Sequence, residues 1–377
     1  MTAAQTEYSM LMDLLNGVFF QEDKEQAKRD FYTLLPKLYN SEHRPWEHNY
    51  VVREDGQLMA AVGMYPLEMN VAGHALRCGG LGNVAVEQSC RGKGYMKRAM
   101  DDAMAAMRAQ DCDFGELGGL RQRYGYWGFE RCGLQWRVEL NQANLKHGGD
   151  AASEVYEARA LTRDDTETLA ELRRLTRAAP LYARPNAAPY DVLRSWDARP
   201  YAVLCNGKPA AAFVLNRDGR GINDFQLFGN ASLWAATRAI FAILPSDIEE
   251  ISFAVPSWET SLLAQAERLA EAVKLEPSGQ YTILRWERVL RALLELQAGC
   301  RTLPDGTQTV KINGMFGAET LRLAVGKGNA VVEPFTGTPE LELEHLEALR
   351  YFLAPYCARP RLPWFPLPLF MYSFDKV

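Results

Sequence analysis

No run of apolar residues approaches the ~20 needed for a helix to cross a bilayer. The most apolar early stretch, Met10 to Phe20, is broken by Asp13, Asn16 and Gly17. No basic leader or small-residue cleavage site accompanies it, so a cytoplasmic protein without a membrane span is expected. Cysteine is sparse: Cys78, Cys90, Cys112, Cys132, Cys205, Cys300 and Cys357 are odd in number and scattered, with no C-x-x-C pair and no histidine at ligand spacing. Neither a disulfide framework nor a metal site is expected. Charge of one sign is never blocked together, and 42 Lys+Arg against 47 Asp+Glu leave a net charge of −5. A nucleic-acid or anionic-membrane partner would need a basic patch, which excludes both and leaves neutral or cationic small molecules.

What is present is ordinary globular composition, 47% hydrophobic and 24% charged over 377 residues. At ~150 residues per domain, that length holds two to three domains. Apolar spacing predicts a helix over Met10 to Val18 and another over Lys24 to Tyr39. Strands follow over Asn49 to Glu54, Gln57 to Leu67 and Met69 to Leu76, with hairpin turns at Asp55-Gly56 and Ala72-Gly73. Leu81 to Val86 is a further strand, and Cys112 to Leu117 and Leu134 to Leu140 complete a mixed α/β unit. Asn141 to Ser153 has linker composition. A second unit repeats the order of the first and ends on a strand over Tyr281 to Arg285. From Trp286 a small α+β unit begins, closed by a tail rich in Pro, Trp and Phe whose last residues, Met371 to Val377, are expected to pack. The units are read as 1–145, 150–286 and 287–377.

The most informative stretch runs from Leu81-Gly82-Asn83-Val84-Ala85-Val86 into Arg91-Gly92-Lys93-Gly94-Tyr95-Met96. A strand enters a glycine-punctuated turn that opens an amphipathic helix, with Met96, Ala99, Met100, Ala103 and Met107 on one face. Glycines let the backbone approach a ligand, and the free N–H groups of a helix start suit a phosphate. A Walker loop would need Ser or Thr where Tyr95 stands, and a dinucleotide fingerprint would need small residues at Lys97 or Arg98. Downstream lies Tyr124-Gly125-Tyr126-Trp127-Gly128-Phe129.

These two ordered motifs resemble the Gcn5-related N-acetyltransferases, with a departure at Met96, where that superfamily usually has Gly or Ala. The whole chain is similar to one branch, the enhanced intracellular survival type: an active acetyltransferase domain, a degenerate second one and a C-terminal sterol-carrier-protein-like domain. The second unit lacks the glycine turn, in keeping with that plan. The resemblance implies that acetyl-coenzyme A is the co-substrate, held by Val84, Ala85 and Val86 along the pantetheine arm and by Arg91, Gly92, Lys93, Gly94, Tyr95 and Met96 at the pyrophosphate. Gly119 and Leu120 would lie near the acetyl end. It further implies that Tyr124 is the general acid, that the carboxylate of Val377 is the base, with Glu116 its side-chain competitor, and that a homo-oligomer, hexamer or smaller, forms. The acceptor would be a cationic amine of the aminoglycoside, polyamine or lysine type, beside helical acids such as Glu22, Asp23, Glu25 and Asp30. The alternatives are a coenzyme A sensor without turnover and a lipid carrier working through the C-terminal unit.

Overall fold

The computed structural model describes residues 1–20, 29–147 and 154–377. Three of the acids expected along the acceptor wall, Glu22, Asp23 and Glu25, and the 148–153 part of the expected linker lie outside the described residues. In chain order the first stretch holds α1 (Tyr8–Phe19), α2 (Phe31–Leu34), α3 (Pro36–Tyr39), β1 (Asn49–Glu54), β2 (Gln57–Val71), β3 (His74–Val86), α4 (Tyr95–Ala109), β4 (Phe114–Leu117), α5 (Arg121–Tyr124) and β5 (Glu130–Cys132). The middle holds β6 (Gln135–Asn141), α6 (Gln142–His147), β7 (Tyr156–Ala160), α7 (Thr166–Thr176), β8 (Leu181–Arg184), α8 (Pro189–Leu193), β9 (Arg199–Cys205), β10 (Lys208–Leu215), β11 (Ile222–Leu227), α9 (Leu233–Phe241), β12 (Glu250–Pro256), α10 (Thr260–Leu269), β13 (Ala272–Glu276) and β14 (Gly279–Ile283). The last stretch holds α11 (Trp286–Cys300), β15 (Gly306–Gly314), β16 (Gly317–Gly326), β17 (Asn329–Pro334), β18 (Leu341–Glu344) and α12 (His345–Leu353).

The fold is mixed α/β, with tandem mixed sheets. The first sheet runs β1-β2-β3-β4-β14-β5. Asp55-Gly56 and Ala72-Gly73 turn its hairpins, and all four residues have positive φ, the twist that two-residue hairpins demand. Two expected breaks are absent: β2 runs on through Glu68, and β3 runs on through residues 77–80. β2 runs straight through Pro66, because β1 pairs only with Gln57 to Gly63 and β8 only with Glu68 to Val71. Pro66 therefore sits in a gap between those two partners, where a missing N–H is tolerated. In contrast, the expected Lys24-to-Tyr39 helix is, in its described part, two single-turn pieces split at Leu35, because Pro36 cannot continue a preceding helix.

The units exchange strands. Leu134 to Leu140 was expected to complete the first sheet, but β6 pairs with β12 and β13 of the middle unit. Conversely β14, expected in the middle unit, is inserted antiparallel between β4 and β5. Both strands are short and apolar on one face, so their composition alone does not say which sheet takes them. The expected linker also begins as the helix α6 rather than as a loop. The C-terminal sheet runs β17-β16-β15-β18, with β18 parallel to β15. Beyond α12 a strap without regular structure buries Trp364, Phe365, Leu367, Leu369, Phe370 and Met371. At ~1.5–3 kcal/mol for each large apolar side chain, such burial offsets the ~1–2 kcal/mol per residue of fixing an irregular backbone.

No helix among the described residues is long and apolar enough to cross a membrane. The methionine face of α4 packs on the first sheet, burying Ala99, Met100, Ala103, Met104 and Met107. Met107 lies across the backbone of Gly79 and Gly115, and a Cβ at Gly79 would fall 2.7 Å from its Cε. Helix and sheet meet this closely because those strand positions have no side chain.

Candidate active site

β4 ends at Leu117, opposite Leu81 of β3, whereas β3 continues to Val86. From Gly82 onward the edge of β3 that faces β4 has no ladder partner there, and the two strands open a gap. On its other edge β3 is bulged: Ala61 pairs with Ala85 and Gly63 with Gly82, so Val62 alone opposes Asn83 and Val84. Asn83 takes φ 53° at the bulge, and its buried amide donates to the Tyr39 hydroxyl at 2.7 Å. The bulge turns the next residues of β3. Val84 and Val86 then line a cleft of about 670 Å³ with Arg91, Gly92, Gly94, Tyr95 and Met96.

This cleft is built as an anion seat. Gly92 and Gly94 have φ of 86° and 79°, conformations that favour glycine, and Gly94 caps the N-terminus of the fifteen-residue α4. Nothing lies within 4 Å of where a Cβ on either would stand. Open N–H groups at the first turn, the positive end of the helix dipole and the Arg91 side chain together fit a pyrophosphate. Cys90, Lys97, Arg123, Trp127 and Val18 line the same cleft and were not singled out from the sequence. Trp127 fills an unspecified position of the Tyr124-to-Phe129 motif, and the others stand where no motif marks them. Ala85, in contrast, is fully buried beneath α1, so only its main chain can contribute. Lys93 turns outward to Glu54 at 3.2 Å.

Tyr124 stands at the other side of the gap. It closes the single turn α5, is 6% exposed, and lies against Gly119 so closely that a Cβ there would overlap its ring. Burial pushes its hydroxyl above the usual tyrosine range. The neighbouring Leu120 is the N-cap of α5 and is 61% exposed. The loop after Tyr124 is braced by the C-terminal unit. His345 of α12 meets the Gly128 carbonyl and the Thr282 hydroxyl at 3.0 Å each, and Arg350 joins Arg121 on the buried carboxylate of Glu130.

Burial holds His345 down at about 4, so it is neutral when folded at neutral pH. The unfolded chain binds that proton near ~6.5, so it holds more protons than the fold between those values. Stability is therefore lost as pH falls through this window, by roughly 3 kcal/mol for the whole shift. Acid melts from pH 7 to 4 should show a steeper fall for the native chain than for His345→Asn.

The end of the chain enters the same region. A Cβ on Gly80 or Gly82 would overlap the Val377 side chain, and one on Gly82 would lie 3.4 Å from the terminal carboxyl carbon. Three charged groups from separate elements seat the last five residues. The buried Lys37 amine donates to the carbonyls of Phe374, at 2.6 Å, and Lys376. Asp224 of β11 accepts from the Ser373 and Phe374 N–H groups at 2.7 and 3.1 Å and from the Ser373 hydroxyl. Lys376 itself reaches the Ser278 carbonyl at 2.8 Å and the Glu116 carboxylate at 3.9 Å. Burial raises Glu116, Asp224 and Asp375, the last to about 7, and lowers Lys37 to about 8. Asp30, the described acid of the expected acceptor wall, instead caps α2. Val377 lines two cavities: one of about 470 Å³ with Glu116, Trp196 and Asp224, and one of about 350 Å³ with His48 and Tyr65.

Because Gly82 has room for no side chain, Gly82→Ala should expel the terminal residue rather than bend the sheet. Overpacking by one methyl group costs ~1–3 kcal/mol, and a chain end yields more easily than a paired strand. We expect a small change in Tm but a large loss of turnover. A retained kcat would mean that the tail's seat is not needed.

Residues 2–130 match the family model of the acetyltransferase (GNAT) domain. The N-terminal unit is a GNAT acetyltransferase domain. The chain thus carries an acetyltransferase domain of the GNAT type and is an enzyme. No curated protein matches at the level of sequence. Among solved structures, a GCN5-related N-acetyltransferase from Anabaena variabilis superposes with TM-score 0.64 at 17% identity, covering 93% of this chain and 89% of that one. One from Kribbella flavida gives 0.61 at 14%, covering 93% and 86%. Eis1 from Mycobacterium abscessus gives 0.53 at 11%, covering 80% and 79%. At these identities the likeness is one of fold, and it extends beyond the GNAT domain over most of the chain.

Proposed function

We propose that the protein moves an acetyl group from acetyl-coenzyme A directly to a primary amine of the aminoglycoside, polyamine or lysine type. In this reading it is a cytoplasmic member of the enhanced intracellular survival branch, with units near 1–145, 150–286 and 287–377, the last sterol-carrier-like, assembled as a homo-oligomer of six or fewer copies. The observation that carries the reading is the seating of Val377 on β3 beside the open gap. The proposed base then lies against β3 and the proposed acid at the end of α5, in the loop that follows β4.

Bound acetyl-coenzyme A supplies an activated thioester. Val84, Ala85 and Val86 would hold its pantetheine arm, and Arg91, Gly92, Lys93, Gly94, Tyr95 and Met96 its pyrophosphate. Gly119 and Leu120 lie at the acetyl end. An ammonium with a pKa near ~10.4 must lose a proton before it can attack. The terminal carboxylate of Val377 takes that proton, directly or through one water. The departing thiolate, whose parent pKa is ~8.5, takes a proton from the Tyr124 hydroxyl. The cations beside the tail already face acids, Arg137 with Glu276 at 3.3 Å and Lys376 with Glu116 at 3.9 Å.

The test is release of free coenzyme A thiol from acetyl-coenzyme A with a panel of amines. Release that saturates with at least one amine supports the reading. Tight coenzyme binding without release by any amine would make the protein a sensor instead.

A further inference from the structure

A second, separate site lies in the middle unit. Leu169, Leu172, Val192 and Leu193, from α7 and α8, enclose a narrow apolar slot of about 70 Å³. Arg173 and Arg177 line the slot and also line an open groove of about 590 Å³ outside it, so they stand where the two meet. They lie four residues apart, a spacing at which like charges face each other and repel. Arg173 is held below the usual arginine range by burial and by Arg177. Among the described residues no carboxylate pairs with either. The neighbouring arginines do have acids: Arg163 pairs with Asp191 at 2.5 Å and Arg174 with Glu171 at 2.7 Å. Arg173 donates only to the Pro185 carbonyl, at 3.1 Å. The one acid lining the slot is Asp375, next to Phe374, and the Lys37 charge acts on it to favour the carboxylate.

Two adjacent guanidinium groups without a carboxylate partner among the described residues, at the mouth of a mostly apolar slot, form a recognition pattern for an amphipathic anion. Guanidinium groups take carboxylates bidentately. A water needs roughly 10–15 Å³ of such space, so the slot takes about six heavy atoms. We propose that it binds a small organic carboxylate with a short apolar chain. The carboxylate would rest on Arg173 and Arg177, and the chain would run between α7 and α8 to end on Phe374. A longer chain or a second charge would meet Asp375. This site owes nothing to the acyl-transfer reading, although its inner wall is the back of the tail.

Titration calorimetry of the full chain with hexanoate tests the proposal, with hexanol as the uncharged control. We expect saturable hexanoate binding, at least tenfold weaker binding of hexanol, and at least tenfold loss of hexanoate affinity in Arg177→Gln. Arg177 is exposed and outside the core, so this variant should keep its fold, which circular dichroism checks. Ala212→Met, which fills the slot, should abolish binding while both arginines remain. No binding by the native chain would overturn the proposal. So would equal binding of hexanol, or unchanged affinity in a folded Arg177→Gln.

Discussion

A chain carrying one glycine after Val377 is expected to lose kcat for amine acetylation by at least ~100-fold, the lower range for loss of a general base. The affinity for acetyl-coenzyme A should stay within about twofold of the native value. The coenzyme cleft is lined from α4 and the end of β3, and no tail residue lines it. The extension moves the carboxylate by one residue, ~3.3–3.6 Å, which is more than a hydrogen bond's tolerance. The tail cannot retreat to compensate. Lys37, Asp224 and Lys376 each fix a separate point within its last five residues, and Lys37 is buried. Thiol release in the steady state, with coenzyme affinity measured separately, gives both numbers. A native kcat in the extended chain would remove the terminal base and leave buried Glu116 as the candidate.

Tyr124→Phe is expected to lower kcat by ~10²–10⁴, the usual range for a positioned acid, with little change in affinity for acetyl-coenzyme A. The ring that packs against Gly119 is kept, so the loop through Gly128 should hold and Tm should move by only a few degrees. The sign of the pH effect follows from burial. The Tyr124 hydroxyl is pushed above the tyrosine range, so it stays protonated at neutral and mildly alkaline pH. The native rate should therefore not fall on its account until beyond ~10. Equal losses in rate and in coenzyme affinity would make Tyr124 a structural residue.

Much of the GNAT domain could be read from residues in sequence order. Asp55-Gly56 and Ala72-Gly73 mark tight hairpins because few residues accept positive φ, and the structure has turns at both. The strand, glycine turn and methionine-faced helix from Leu81 to Met107 are local features and form as local features. The strand exchange was not legible. β6 and β14 are chosen by sheets that form from residues 100 or more positions away, and nothing in seven- and five-residue strands encodes the partner. The same holds for the cleft. Val18 and Arg123 carry no motif, Trp127 fills an unspecified position of one, and their convergence on α4 follows from how α1 and the α5 turn pack. Lys37 and Asp224 were invisible for a related reason. A lysine on a short helix and an aspartate on a strand read as solvated surface, until a distant tail buries both.

The proposed proton transfer needs the charge at the end of the chain, and semisynthesis can remove that charge without adding bulk. The deciding measurement is the single-turnover rate of acetyl transfer by a chain whose Val377 ends in a carboxamide, compared with the native carboxylate across pH 6 to 9. The amide should bind acetyl-coenzyme A normally and react at least ~100-fold more slowly at neutral pH, recovering toward alkaline pH as the amine loses its proton unaided. An amide-ended chain that reacts at the native rate, with the native pH profile, would contradict the claim that the terminal carboxylate is the base.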